Sequence, residues 1–193
     1  MHNSEKNLAE ISNQIHTKIK ELNFENYSPK IIAVSKTFGI DKIRPLIDYG
    51  HEDFGENRVQ EAAEKWKDVK NNKINLHLIG KLQTNKVKLA LSIFDFIHSL
   101  DSEKLAKKIA EEQVKQNIKP KVFIQINLGN ESQKSGISKE NLLDFYNFSK
   151  DLGLNIIGIM CIPPFNEDST KFFSQMSELK KIINLEELSM GMS

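Results

Sequence analysis

Short apolar runs and longer amphipathic stretches alternate along this sequence. The short runs are typical of buried strands, whereas apolar residues that recur every three or four positions are typical of helices that bury one face. The first helix is predicted over residues 4–22, where Leu8, Ile11 and Ile15 fall on one side. The first strand is predicted at residues 31–34, whose consecutive apolar residues indicate a fully buried strand.

The same unit of a strand followed by a helix recurs to the end of the sequence. Strands are predicted near residues 31–34, 51–54, 75–79, 94–98, 122–126, 156–160 and 185–190. Strands that alternate with helices pair in parallel through right-handed crossovers. The fold class predicted is therefore α/β, as a TIM-type (β/α) barrel with seven of the eight strands of a closed barrel. An open doubly wound sheet is the alternative architecture.

No linker or shift in composition divides the chain, so residues 1–193 are expected to form a single domain that is truncated at its C-terminus relative to a full barrel. The formal net charge is +1, from 27 basic and 26 acidic residues, which argues against nucleic acid or a membrane surface as a partner. The single cysteine, Cys161, excludes an internal disulfide framework. No apolar signal segment opens the sequence, and a cytoplasmic location is expected.

A lysine ends the first predicted strand. In barrels and open α/β sheets the carboxyl ends of the strands carry the ligand, so Lys36 is expected at the mouth of the fold. A partly desolvated amine there can act as the nucleophile that forms a Schiff base. A solvated surface lysine is the alternative interpretation.

Further polar residues follow other predicted strands. Glu56 and Asn57 follow the second strand and are candidates for ligand contact, although Asn57 suits equally well as the cap of the next helix. His77 and His98 lie within predicted strands and are interpreted as hydrogen-bonded core residues rather than metal ligands.

The small residues after the last predicted strand indicate a phosphate site. Ser189 and Ser193 supply hydroxyl donors, and the small residues between them let backbone amides approach phosphate oxygens. An ordinary turn at a strand end explains the same residues. A Schiff-base lysine on the first strand together with a phosphate site after the seventh is the layout of a barrel that binds pyridoxal phosphate.

The sequence also resembles a known family, the pyridoxal phosphate homeostasis proteins, over essentially its whole length. The stretches that carry the resemblance are Ala33-Val34-Ser35-Lys36-Thr37, Phe54-Gly55-Glu56-Asn57-Arg58-Val59-Gln60-Glu61, His77-Leu78-Ile79-Gly80-Lys81-Leu82-Gln83-Thr84-Asn85-Lys86 and Leu188-Ser189-Met190-Gly191-Met192-Ser193. The resemblance implies a barrel like the N-terminal domain of alanine racemase, with pyridoxal 5′-phosphate (PLP) linked to Lys36. It implies phosphate contacts from Ser189 and Ser193, and a position near the cofactor for Asn57.

The resemblance also implies a helix and an eighth strand after the last motif, which this sequence does not contain. Weak cofactor retention and a tendency to aggregate are therefore expected.

The function expected is that of a non-catalytic, monomeric PLP-binding protein in intracellular PLP homeostasis, which delivers the cofactor to PLP-dependent apoenzymes. The alternative is an amino-acid racemase of the alanine racemase type. Racemisation needs acid–base groups on both faces of the bound substrate, and Tyr27, Tyr49 and Tyr146 are predicted on loops or helices away from the strand ends. A sugar-phosphate enzyme would need paired carboxylates at the strand ends, where only Glu56 is predicted.

Overall fold

The helices and strands alternate as the sequence predicts. The computed structural model of the protein describes residues 3–24, 26–129, 135–164 and 167–191. The strands are β1 (Ala33–Val34), β2 (Asp53–Glu56), β3 (Asn75–Leu78), β4 (Phe96–Leu100), β5 (Lys121–Gln125), β6 (Asn155–Cys161) and β7 (Glu187–Met190). The helices are α1 (Asn3–Glu21), α2 (Ile40–Asp48), α3 (Val59–Trp66), α4 (Val87–Leu91), α5 (Glu103–Gln116), α6 (Leu142–Asp151) and α7 (Ser169–Ile182).

The strands form one parallel sheet of seven, in the order of the sequence. His77 on β3, for example, lies opposite Gly55 on β2 and Phe96 on β4. Within the described residues, β1 pairs only with β2 and β7 only with β6. No helix in these residues is long and apolar enough to cross a membrane.

The sheet is strongly curled. Ser189 on β7 and His98 on β4 lie 2.7 Å apart between Oγ and Nδ1, although β5 and β6 separate their strands. In a flat sheet, strands three positions apart would be roughly 14 Å apart. The side chains meet because the sheet wraps around its own inner face, so the seven strands form a half-barrel of the TIM type.

The two faces of the sheet have different cores. Outward-facing residues such as Phe54, Leu78 and Ile124 are fully buried against the helices, and burial of each such side chain stabilises the fold by about 1.5–3 kcal/mol. The inward face has a small separate cluster centred on Phe96 and Phe123. The rest of its interior contains polar side chains, which the next section describes.

Three strand predictions need correction. β4 runs over Phe96–Leu100, two residues later than the strand predicted near residues 94–98. β1 comprises only Ala33–Val34, and residues 31–34 are half-buried rather than fully buried. β1 pairs on one side only within the described residues, which leaves its other side open. β2 runs over Asp53–Glu56, so Gly55 and Glu56 belong to the strand and not to the loop after it.

Candidate functional site

Lys36 lies two residues after the end of β1 and is half-buried. Ser35, the residue before Lys36, has both of its backbone polar groups hydrogen-bonded. The Ser35 N–H donates to the Gly55 carbonyl at 2.9 Å, and the Ser35 carbonyl accepts from the Lys65 ammonium at 2.8 Å. The strand end that carries Lys36 is therefore fixed by β2 and α3.

The chain turns sharply immediately after Lys36. Thr37 has a φ of 66°, in the left-handed region that β-branched residues avoid. Such a conformation costs about 1–3 kcal/mol and persists only where the surroundings hold it. Here the Thr37 N–H donates to the carboxylate of Glu61 at 3.0 Å, and this hydrogen bond lowers the pKa of Glu61. The backbone next to Lys36 is thus locked in a strained turn, as is common at ligand sites.

A buried group of four side chains supports this turn from the helix side of the sheet. We call it the outer network, and its members are Ser35, Glu56, Lys65 and Trp66. The carboxylate of Glu56, whose side chain has no exposed surface, accepts from the Ser35 hydroxyl at 2.8 Å, the Lys65 ammonium at 2.9 Å and the Trp66 indole N–H at 3.0 Å. Glu56 and Lys65 form a buried ion pair, because only 8% of the Lys65 side chain and none of the Glu56 side chain is exposed.

The prediction that Glu56 contacts a ligand at the mouth is wrong. Side chains alternate along a strand, so Glu56 faces the same side as Phe54, toward α3. It acts from beneath the site by fixing Ser35. Lys65 and Glu61 were not identified from the sequence; their spacing of four residues on α3, typical of an ion pair, was the available signal.

Asn57 lies directly after β2 and is half-buried. The interpretation of Asn57 as a helix cap is wrong, because α3 begins at Val59 and Arg58 holds the capping position. The backbones of the two neighbouring strand ends touch here. A Cβ at Gly80 would lie 2.3 Å from the Asn57 carbonyl oxygen, so only glycine fits. The position of Asn57 is consequently set by backbone contact with the end of β3.

Ser189 ends a second group of polar side chains, which crosses the interior of the half-barrel and has two buried histidines at its centre. We call it the inner relay, and it consists of Asp53, His77, His98 and Ser189. Asp53 Oδ1 lies 3.0 Å from His77 Nε2, and His77 Nδ1 lies 2.9 Å from His98 Nε2. His98 Nδ1 lies 2.7 Å from Ser189 Oγ. The interpretation of both histidines as hydrogen-bonded core residues is confirmed.

Aromatic stacking holds the two imidazole rings. His77 stacks on Phe96 with ring centroids 4.2 Å apart, and His98 stacks on Phe123 at 4.3 Å. Burial lowers the pKa of His98 to about 3, so this ring is neutral in ordinary buffers. Burial alone would raise the pKa of Asp53, but the hydrogen bond from His77 helps to lower it below its usual value. Asp53 is therefore an ionised carboxylate.

Three of the four predicted site residues lie at carboxyl ends of strands, on β1, β2 and β7. These are Lys36, Asn57 and Ser189. Ser193 lies outside the described residues. Gly191 follows β7 with a φ of 153° and open space where a side chain would project, which leaves its backbone accessible. The contacts of these residues with a ligand stay predictions.

The fold and the arrangement of these strand ends define a recognised class of α/β domain. A family model described as "Alanine racemase, N-terminal domain" matches residues 7–193. An alanine racemase of Clostridium difficile shares the fold at a TM-score of 0.66 and 14% identity, over 90% of this chain and 50% of that one. Within this class, the chain belongs to the pyridoxal phosphate homeostasis protein family.

Curated relatives and solved structures support this membership. The pyridoxal phosphate homeostasis protein of Aquifex aeolicus is 37% identical over 85% of this chain and 76% of its own length. The Haemophilus influenzae protein of the same name is 35% identical over 99% of this chain and 86% of its own length. PipY of Synechococcus elongatus, solved with PLP bound, is 32% identical with a TM-score of 0.74, over 92% of this chain and 88% of that one.

Proposed function

We propose that this protein binds PLP through the Lys36 amine and serves PLP homeostasis without catalysing a reaction of its own. The observation that carries the proposal is the placement of Lys36. It is a half-buried lysine at the carboxyl end of β1, followed by a strained turn and fixed from below by a buried ion pair. Its family includes PipY, which was solved with PLP bound.

The residues at the strand ends fit such a cofactor. PLP, when bound, supplies an aldehyde that can be linked to a lysine amine and a phosphate that needs hydrogen-bond donors. Lys36 offers the amine, and the half-buried Ser189 offers a hydroxyl on β7. The open backbone at Gly191 suits close approach of phosphate oxygens. Asn57 lies at the end of β2, the strand next to β1, and its backbone is fixed by contact with Gly80.

The racemase alternative is not favoured. It requires an acid–base group on each face of a bound amino acid. Tyr27 and Tyr49 are exposed, Tyr49 at the C-terminus of α2, and Tyr146 lies on α6 against Lys150. The curated relatives are named as homeostasis proteins. The outer network, moreover, directs Glu56 and Lys65 toward each other and leaves neither as a free acid or base.

The attachment of PLP can be tested by chemical trapping. Protein loaded with PLP is reduced with borohydride, digested and mapped by mass spectrometry. We expect the label on the peptide containing Lys36. The matched control is Lys81→Ala, which removes an exposed lysine after β3 at the same edge of the sheet and should leave the label in place. A wild-type digest whose label lies only on other lysines would contradict the assignment.

The absence of catalysis has a separate test. PLP-loaded protein is incubated with L-alanine or D-alanine, and the enantiomers are followed by chiral chromatography. We expect no racemisation beyond that of free PLP, because a missing acid–base group is worth about 10²–10⁴-fold in rate. Racemisation well above that background, and lost in Lys36→Ala, would revive the racemase alternative.

We also propose that the protein is a cytoplasmic monomer that passes PLP to PLP-dependent apoenzymes. A net charge of +1 gives it no strong attraction to nucleic acid or anionic lipid, which supports a freely diffusing carrier. Mixing the loaded protein with an apoenzyme and measuring regained activity tests delivery. Activity that returns no faster than release of PLP into buffer would argue against direct transfer.

A further inference from the structure

The inner relay joins the mouth of the half-barrel to its opposite end. Asp53 is the first residue of β2, whereas Ser189 lies near the end of β7. The relay has three hydrogen bonds in series, and each contains one proton. Because the two ring planes are held by stacking on Phe96 and Phe123, the relay changes state by moving protons and not by turning rings.

Two proton arrangements satisfy every member of the relay while Asp53 is ionised and His98 is neutral. In the first, His77 Nε2–H donates to Asp53 and His98 Nε2–H donates to His77 Nδ1. His98 Nδ1 then has only a lone pair, so Ser189 must donate its hydroxyl proton inward to it. In this arrangement the relay has a net charge of −1, and Ser189 presents lone pairs to anything bound at the mouth. That state repels a phosphate oxygen.

In the second arrangement every proton beyond Asp53 has moved one place inward. The proton between the rings passes from His98 Nε2 to His77 Nδ1, and the Ser189 proton passes to His98 Nδ1. A proton from solvent replaces the one that Ser189 gave up. His77 now has both N–H groups beside the Asp53 carboxylate, His98 stays neutral, and the relay is neutral overall. Ser189 accepts from His98 and is free to donate outward to a phosphate oxygen.

We propose that an anionic phosphate group binds at Ser189 together with one proton, which the inner relay takes up. The proposal rests on the proposed function, since it takes the PLP phosphate as the anion. Linkage makes the effect reciprocal: phosphate favours the protonated relay, and protonation favours phosphate. At most about a tenfold change in phosphate affinity per pH unit follows from one coupled proton.

Other charged groups face the Asp53 end of the relay. Lys30, before β1, favours the ionised carboxylate. His51 hydrogen-bonds the Asp53 carbonyl at 2.9 Å and lies near Glu52, and burial lowers the His51 pKa. Lys121 on β5 sits over the Phe96 ring that stacks on His77. These groups set the pH at which the relay takes up its proton, but none lies between His98 and Ser189, where the direction of the hydrogen bond changes.

The test reads the position of the proton on His98 directly. In a neutral imidazole the nitrogen that carries hydrogen and the one that does not have distinct ¹⁵N chemical shifts. We expect the His98 proton on Nε2 in the unliganded protein and in protein loaded with pyridoxal, which lacks the phosphate. In protein loaded with PLP we expect it on Nδ1. A His98 proton that stays on the same nitrogen in all three samples would overturn the proposal.

Calorimetry supplies a second readout with a matched variant. PLP binding is measured in two buffers of different ionisation enthalpy, which gives the number of protons taken up. Comparison with Ser189→Ala cancels protonation of Lys36 and of PLP itself, and wild type should take up about one proton more. Equal proton uptake by the two proteins would contradict the coupling.

Borohydride mapping of the same samples separates the two claims. A label on Lys36 with an unchanged His98 proton overturns the relay and leaves the proposed function standing. A wild-type protein with no label on Lys36 overturns the proposed function and this inference with it.

Discussion

The outer network and the inner relay lie on opposite faces of the same sheet, and each reaches a strand end with a predicted ligand residue. The outer network holds the end of β1 through a buried ion pair, Glu56–Lys65, at 2.9 Å. The inner relay reaches Ser189 on β7 through two imidazole rings. Both satisfy buried polar groups, which is the condition for such groups to be tolerated inside a fold.

The two groups differ in what can change. Lys65 and Glu56 have complementary charges and every bond has one natural direction, since an ammonium only donates and a carboxylate only accepts. Each imidazole nitrogen can donate or accept, so the relay has more than one state with the same atomic positions. The difference suggests a fixed support beneath Lys36 and an adjustable contact at Ser189.

Disruption of the outer network is expected to have the largest effect on the free energy of unfolding. Lys65→Met leaves the Glu56 carboxylate buried without its cation and removes the donor to the Ser35 carbonyl. Removal of one partner of a buried ion pair costs about 3–5 kcal/mol. Urea denaturation followed by circular dichroism should show a loss of this size in the free energy of unfolding.

Lys67→Met is the matched control, because Lys67 is exposed one residue beyond α3 and should change stability by no more than about 0.5 kcal/mol. The double variant Glu56→Gln/Lys65→Met should recover part of the loss, since no uncompensated charge remains. A loss below about 1 kcal/mol in Lys65→Met would mean that water reaches Glu56 and that the network is not a rigid support.

The order of strands and helices could be predicted because each strand is a short apolar run and each helix has an apolar face. The outer network could not be predicted, because the end of the second strand was misplaced. The second strand was predicted to end at Phe54, two residues early. With the strand extended to Glu56, period-two alternation places Glu56 beside Phe54 on the buried side.

The inner relay predicts a smaller effect, and one that depends on pH. The ordinary pKa of a histidine, 6.5, falls to about 3 for His98 in the folded protein. Between these values the unfolded chain binds a proton that the folded chain does not, so His98 stabilises the fold above pH 6.5 and loses this contribution as pH falls. The slope is at most about 1.4 kcal/mol per pH unit, or about 2 kcal/mol between pH 6.5 and pH 5.

His98→Phe isolates this contribution, since phenylalanine keeps the stacking on Phe123 but cannot titrate. The variant should be less stable than wild type at neutral pH, and the two stabilities should converge on acidification. Denaturation curves measured at several pH values give the slope for each protein. Parallel slopes would indicate that His98 is protonated in the folded state, which would remove the basis for its neutral role in the relay.

The burial of both histidines was predicted from their place within strands, but the relay was not. His77 and His98 belong to adjacent strands, so their contact follows once the parallel register is known. Ser189 is 91 residues from His98 in the chain, and the two meet only because the sheet curls. The alternation of strands and helices predicted a barrel, but local patterns of apolar and polar residues do not show which side chains meet across its interior. For the same reason, the direction of the Ser189 hydroxyl could not be predicted from the sequence.

The smallest effect on stability is expected from removal of a single buried hydroxyl, and it should depend on whether that hydroxyl has a hydrogen-bond partner. Ser35→Ala removes a 2.8 Å hydrogen bond to Glu56 but leaves that carboxylate its bonds from Lys65 and Trp66. A loss of about 0.5–1.5 kcal/mol is expected, as for one ordinary hydrogen bond. The matched control is Ser99→Ala on β4, whose buried hydroxyl has no hydrogen-bond partner in the part of the chain that the structure describes. Its removal should be neutral or stabilising, and an equal loss in the two variants would show that side-chain packing, not the hydrogen bond to Glu56, explains the cost at Ser35.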